Sequence, residues 1–385
     1  MTSSVGRRIL IKLCRSSLSP RIIATRFSSI AVEEDAKNVI PASQPGKIQA
    51  ALLKDFSSSL VIENLEPPKN VQANEVLIDV HYCALNTSDA LLSKNLYTFE
   101  PKLPTILGYE VVGKLVEVGT EAEKNGYKIG DQVVALNKEK YGGLAEKCLA
   151  EIGDIWKVPS VIDSIDAVSI LDNYITALIA LERKVSIDEN DMILINVGIS
   201  GISLAAIDLA TNVYRAKVIG VCATEDGADL ARKKGAFASL KYKDKKLLKQ
   251  IKEIAAERDI QVIFDDVDGE YFKKVLDCLC HEGRVIIAGT ATTMTNAHSE
   301  VQQGSFSVTG FNLTEYRKKK PDEYRQAGDE VLQFLEEGLI TPSCLLIVGL
   351  HKVNDALRFV SESKSPGKVV IDIRNKEADA VKVTK

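Results

Sequence analysis

Met192-Ile-Leu-Ile-Asn-Val-Gly198-Ile-Ser200-Gly201-Ile-Ser203-Leu-Ala-Ala-Ile-Asp-Leu-Ala210 is the stretch on which the fold turns. A short apolar run ends at glycine, and an Ala-rich run at helical spacing follows it. This reads as buried strand, tight turn and helix. A second apolar run, Ala216-Lys-Val-Ile-Gly-Val-Cys222, completes a βαβ unit. Such a turn leaves backbone N–H groups at a helix N-terminus, where the helix dipole favours a phosphate. The pattern is Gly-x-Ser-Gly-x-Ser rather than Gly-x-Gly-x-x-Gly, so the strand–turn–helix context carries the expectation of a dinucleotide site. Gly198, Ser200, Gly201, Ile202 and Ser203 are its candidate phosphate contacts.

Outward from this unit the text divides. From about residue 167 onward, helices alternate with apolar strands: helix 228–234, strand 262–267, helix 271–280, strand 284–289 and strand 306–311. That is doubly wound α/β text. From 47 to about 156 the runs 48–53, 60–65, 76–82, 109–118 and 133–136 are β-rich. Pro67-Pro68, Gly108, Gly119, Gly130-Asp131 and Gly142-Gly143 punctuate them, as in a compact antiparallel barrel. After helix 322–337, short strands near 345–348 and 369–373 are placed to return to the first domain.

The chain has 385 residues, enough for two domains, with 45% apolar and 26% charged residues. No apolar run is long enough to span a membrane. Seven cysteines, scattered at 14, 83, 148, 222, 278, 280 and 344, argue for a reducing compartment rather than a disulfide framework. Residues 1–32 hold six basic residues, several serines and no acid, the composition of a mitochondrial transit peptide. Without those six of the 49 basic residues, 43 would face 53 acids, a formal charge of −10. Nucleic acid is therefore not an expected partner. Lys243 to Lys246 and Lys318-Lys-Lys320 read as solvated surface.

Asn86-Thr-Ser-Asp89, Leu103-Pro-Thr-Ile-Leu-Gly-Tyr-Glu110, Gly130-Asp-Gln-Val-Val134, Tyr141-Gly-Gly-Leu-Ala-Glu146, Tyr174-Ile-Thr-Ala177 and Gly367-Lys-Val-Val370 occur in this order. Their order resembles the medium-chain dehydrogenase/reductase superfamily, and within it the zinc-free quinone oxidoreductase branch, over about residues 47–373. The resemblance implies an α/β protein in which a GroES-like β-rich catalytic domain (47–166 and 312–375) joins a doubly wound Rossmann nucleotide-binding domain (167–311). A transit segment at 1–32 and a polar tail at 376–385 flank them. It implies a nicotinamide cofactor in the cleft, hydride transfer to a quinone or conjugated carbonyl, and a homodimer.

In zinc-dependent relatives a Cys stands where Asn86 does, and a His where Tyr109 does. Asn and Tyr are poor zinc ligands beside thiolate and imidazole. Cys148 is the only cysteine between Cys83 and Cys222, so the four-Cys structural zinc lobe is missing as well. Cys278-Leu-Cys280-His281 resembles a metal cluster but falls on a predicted helix, where packing explains it better. The expectation is a metal-free site. A quinone or enone spreads the incoming negative charge over a conjugated system, so hydrogen-bond donors and close positioning can replace a Lewis acid.

By position, the resemblance assigns Asn86, Tyr97 and Tyr109 as catalytic candidates. The two tyrosines suit either of two roles, donating hydrogen bonds or filling the metal's place. Thr176 matches a threonine facing the nicotinamide, Tyr242 a tyrosine near the adenosine phosphate, and Thr224 and Gly289 complete the candidate cofactor set. Cys222 stands where an acid would bind a ribose 2′-hydroxyl, which weakens the case for NADH. Glu225 and Asp226, with no base beside them in the sequence, would repel a 2′-phosphate. The branch favours NADPH over NADH. Two alternatives stay open at this point: an enoyl-thioester reductase of the same superfamily, and a non-catalytic scaffold whose phosphate turn is crowded by Val197, Ser200 and Ser203.

Overall fold

The computed structural model describes residues 41–97, 100–198, 201–255, 259–265, 275–288, 305–362 and 367–375. The transit segment, the polar tail, Ser200 and Gly289 lie outside the described residues.

The first half forms strands β1 (Ile48–Leu53), β2 (Val61–Leu65), β3 (Glu75–Leu85), β4 (Thr105–Ile106), β5 (Glu110–Val118), β6 (Gln132–Leu136), β7 (Lys147–Glu151) and β8 (Ile155–Lys157). The second half supplies β9 (Met192–Val197), β10 (Lys217–Cys222), β11 (Ala238–Lys241), β12 (Ile260–Asp265), β13 (Leu279–Ala288) and β14 (Phe306–Phe311). The last two strands are β15 (Cys344–Gly349) and β16 (Lys368–Asp372).

The strands of the second half make one six-stranded sheet in the order β11-β10-β9-β12-β13-β14, parallel throughout. This is the doubly wound order, with the switch point beside the first strand. β9 shows why the sheet takes helices on both faces. Its alternate residues Ile193, Ile195 and Val197 enter one core, while Met192 and Leu194 enter the other. Helix Glu225–Lys233 closes tightly on β10, because a Cβ at Gly220 would lie only 3.3 Å from that of Ala231. Thr224 caps this helix, its hydroxyl accepting from Gly227 N at 3.1 Å.

The first half is antiparallel, with a three-stranded sheet β2-β1-β4 and a larger one in the order β15-β16-β3-β5-β6-β8, in which only the β15–β16 pair is parallel; β7 also pairs with β3. The expected return of the chain is present: β16 runs antiparallel to β3, with Val369 opposite Leu85. The larger of the apolar cores unites the halves, bringing Tyr109 and Trp156 of the first against Tyr174, Ile195 and Tyr324 of the second. Helix Pro321–Glu336 crosses this junction with Gly328 against the Trp156 indole, where an added Cβ would lie 2.2 Å from Cε2.

One sequence expectation is overturned. The helix predicted to reach Cys280 gives way to β13 at Leu279, so Cys280 and His281 lie in a strand. Leu and Cys are compatible with either conformation, and parallel pairing with β12 decides. Glu282 takes a positive φ of 60° beside Gly283, where a Cβ would strike Leu279. This local kink hides the strand from a simple period-two reading. Strands β7, β8 and β11 and helix Leu247–Ala255 were not expected from the sequence. Residues 243–246 and 318–320 are exposed.

Candidate functional site

Between the two halves lies a cleft with two adjoining lobes. Asn86, Ser88, Tyr97, Lys138 and Lys368 line the inner lobe from the β-rich side, and Asp172, Asn173, Thr176, Gly201 and Ile202 from the parallel-sheet side. The outer lobe shares Ser88, Tyr97 and Lys138 and adds Tyr109, Tyr141 and Lys318. Topology brings these residues together. Asn86 follows β3 directly, Glu110 and Lys368 open β5 and β16, and Lys138 follows β6. Asp172, Asn173 and Thr176 sit on helix Leu171–Leu178, and Gly201 precedes helix Ile202–Asp208.

A polar network underlies the cleft. Lys368 Nζ lies 2.5 Å from Glu110 Oε2 and also donates to Asn86 Oδ1. Asn86 Nδ2 donates to the same Glu110 oxygen at 3.0 Å, and the backbone N of Asp172 donates to Oε1 at 3.1 Å. A second pair spans the cleft, Lys138 Nζ to Asp172 Oδ1 at 2.6 Å. The other oxygen of Asp172 accepts from the Tyr109 hydroxyl at 2.8 Å, and that hydroxyl is 2.6 Å from Ser88 Oγ. Burial alone would push the Asp172 carboxyl up, but the Lys138 and Lys368 ammonium groups and two hydrogen bonds outweigh it and hold it below the ordinary value. Burial works against the Lys138 ammonium too, and Asp172 more than compensates, so its pKa is raised. Tyr109 is forced well up by burial and then by the Asp172 and Asp89 carboxylates; it stays a neutral phenol.

Asp89 is fully buried, accepting from Asn86 N at 2.9 Å and from Gly108 N at 3.1 Å. Burial raises its pKa to about 7 despite those two bonds. Gly108 is required here. Its φ is +81°, and a Cβ would lie 2.6 Å from Cys83 Sγ.

Of the residues singled out by sequence, Asn86, Tyr97, Thr176, Gly201 and Ile202 border the inner lobe, and Tyr97 and Tyr109 the outer. The Asn86 amide is engaged by Glu110 and Lys368. Thr176 donates to Asp172 O within its own helix, at 2.6 Å. Tyr97 is half-buried, and burial raises its pKa, so its hydroxyl keeps its proton. Gly201 lets its backbone approach the Asn173 side chain, whose Nδ2 would be 2.2 Å from an added Cβ. Val197 and Ser203 are buried and border neither lobe. Val197 belongs to the apolar core.

Thr224 and Tyr242 are gathered elsewhere, at the end of β10, where Tyr242 N donates to Cys222 O at 3.0 Å. Beside them Glu225 is held by Lys241 at 2.6 Å and by Arg232 at 3.3 Å. Two bases therefore stand where local sequence offered only acids. They come from the next strand and the far end of the helix, which a reading of residues 223–227 alone does not reach. Lys138, Asp172 and Asn173 were missed for the same reason: no motif contains them, and only the meeting of distant elements makes them a site. Among the described residues no group of three or more His, Cys, Asp or Glu is arranged to hold a metal ion, and no helix is long and apolar enough to cross a membrane.

Two family models match the chain, "Alcohol dehydrogenase GroES-like domain" over residues 72–160 and "Zinc-binding dehydrogenase" over residues 201–333. The quinone oxidoreductase-like protein 2 of Bos taurus is 30% identical, over 85% of this chain and 93% of its own length. A mycobacterial structure complexed with NADPH superposes with a TM-score of 0.72 at 23% identity, covering 85% of this chain and all of that one. The CurK enoyl reductase gives a TM-score of 0.75 at 21% identity, over 85% of this chain and 99% of that one. At those identities the two structures speak for the fold.

Proposed function

Because the chain belongs to the medium-chain dehydrogenase/reductase superfamily, among its quinone oxidoreductase-like members, we propose that it is a zinc-independent, NAD(P)H-dependent reductase of quinones or α,β-unsaturated carbonyls. The observation that carries the reading is the cleft itself. It joins donors from the β-rich half, Tyr97 and Lys138, to the Thr176, Gly201 and Ile202 wall of the parallel sheet.

A nicotinamide nucleotide suits the residues present. Gly201 and Ile202 open a helix at the sheet's switch point, the usual place for a pyrophosphate. Lys241 and Arg232 neutralise Glu225 and Asp229 there, which removes the repulsion that a phosphate on the adenosine ribose would meet and supports NADPH. When bound, the reduced nicotinamide supplies a hydride. The chain's own residues then orient the acceptor and meet its developing negative charge. Asn86, fixed by Glu110 and Lys368, presents a rigid edge to the cleft, and Tyr97 carries a proton at neutral pH.

Zinc does not suit this donor set. The Asn86 amide is already bonded at both ends, the Tyr109 phenol resists ionisation, and the Lys368 ammonium adds positive charge beside them. A homodimer is supported by the outer edge of β14, where Phe306 is 37% and Val308 45% exposed on a strand whose outer side pairs with no other strand among the described residues. The basic, acid-free segment at 1–32 supports import into mitochondria, and a fluorescent reporter fused to it should colocalise with that organelle.

The deciding experiment measures NADPH and NADH binding by nicotinamide fluorescence, then turnover with a 1,4-quinone, an enone and an enoyl thioester. Binding of NADPH with turnover of quinone or enone is the expected result. Preference for the thioester would make the protein an enoyl reductase, and no binding at millimolar nucleotide would leave a scaffold.

A further inference from the structure

We propose that Lys138 forms an oxyanion-binding site in the cleft, taking the oxygen on which charge accumulates when a conjugated carbonyl is reduced; this rests on the reductase reading above. Lys138 borders both lobes with its side chain 16% exposed, whereas the other buried cation of the cleft, Lys368, is 3% exposed with its ammonium committed to Glu110 and Asn86. Lys318 also borders the outer lobe, but it is 57% exposed and paired with Glu139 at 2.8 Å.

Asp172 makes Lys138 suitable for the task. Its Oδ1 holds the ammonium at 2.6 Å, and its Oδ2 is occupied by the Tyr109 hydroxyl. The carboxylate is thus spent on positioning and is unavailable as a base. An ammonium has three N–H groups, so one bond to Asp172 leaves others for a ligand. The Tyr109 ring, with its centroid 5.3 Å from Nζ, provides a further wall. Tyr97 borders the same two lobes and supplies a neutral O–H donor beside the cation. A fixed positive charge next to a neutral donor, in a cleft closed on one side, selects acceptors that end as an enolate or a phenolate. Asp172 is a positioning residue here.

The test uses the full chain without nucleotide and two ligands of nearly equal shape, 4-nitrophenolate and 4-nitroanisole, titrated by absorbance where the phenol is ionised. Wild type should bind the phenolate about tenfold or more tightly than the ether, the ratio expected of a charged hydrogen bond. Lys138→Met should abolish the preference and Lys138→Arg should keep it. Lys138→Met leaves Asp172 uncompensated, so Lys138→Met/Asp172→Asn is measured beside it as the variant with both charges removed. Equal phenolate affinity in wild type and the double variant would overturn the proposal, as would equal affinity of wild type for phenolate and ether. NADPH binding and quinone turnover are measured separately. Their failure with the phenolate preference intact would count against the reductase reading and leave the oxyanion site standing.

Discussion

Lys368 and Glu110 meet at 2.5 Å with both side chains almost wholly buried, 3% and 0% exposed. One begins the last strand of the β-rich half and the other its fifth, and Asn86 bonds to both. A charge sealed in this way depends on its partner. Glu110→Gln should cost about 3–5 kcal/mol, because it leaves an ammonium buried without a counter-charge. Glu110→Gln/Lys368→Met should recover part of that loss. Urea unfolding of the two variants checks it, and a double variant less stable than Glu110→Gln would refute the account.

Asp89 gives the fold a pH dependence of its own. The folded state holds its proton to about pH 7, against the ordinary carboxyl value of 3.8. Between those values the unfolded chain binds fewer protons than the native one, so this group's contribution to stability falls as pH rises and levels off above about 7. The swing is on the order of 4 kcal/mol at most. Urea midpoints at pH 5 and pH 8 should differ less for Asp89→Asn than for wild type; equal slopes would show that Asp89 does not titrate in this range.

Gly201→Ala drives a methyl group into the Asn173 amide, 2.2 Å from the added carbon. The displaced side chain faces the inner lobe, so nucleotide binding should weaken by about 1–3 kcal/mol, the usual scale of overpacking. Asn173→Ala in the same background should restore most of the loss. Fluorescence titration with NADPH provides the comparison.

At Gly328 two effects oppose one another. Alanine is the better helix former by about 1 kcal/mol, but its Cβ would sit 2.2 Å from the Trp156 ring, which Arg325 stacks against at 4.7 Å. The ring has nowhere to retreat, and Gly328→Ala should destabilise by about 1–3 kcal/mol net. The emission of Trp156, the single tryptophan of the chain, should shift to longer wavelength.

Lys241→Ala removes the nearer of the two bases that hold Glu225. The affinity for NADPH should fall about fivefold to tenfold while that for NADH changes little, since an exposed charge contact with a phosphate is worth roughly 1 kcal/mol. Dissociation constants for both nucleotides, measured at the same ionic strength, decide it. A proportionate loss for the two would assign Lys241 to general structure.

Strand β5 was legible in the sequence because buried Gly113 and Leu115 alternate with exposed Lys114 and Val116, the period of a half-buried strand, and β9 because a strand buried on both faces is apolar at five of its six positions. β13 was misread where Glu282 and Gly283 break that period. The site was legible only where one residue stands at a position that a motif marks, as Asn86, Thr176 and Gly201 do. Lys138 and Asp172 are 34 residues apart on different halves, and nothing near either announces the other. The bases around Glu225 were hidden in the same way. Distance along the chain, rather than weakness of the interaction, kept them out of reach.

The position of β16 between β15 and β3 has a consequence for how the molecule is made. β3 emerges early from the ribosome, and β7 covers residues 75–79 of one edge, yet the Tyr82–Leu85 part of that edge stays open until residue 372 has been synthesised. Glu110 waits as long for its counter-charge. A chain interrupted after helix Val353–Glu362 would leave that part of β3 unpaired and Glu110 without its counter-charge, both marks of an unfinished protein.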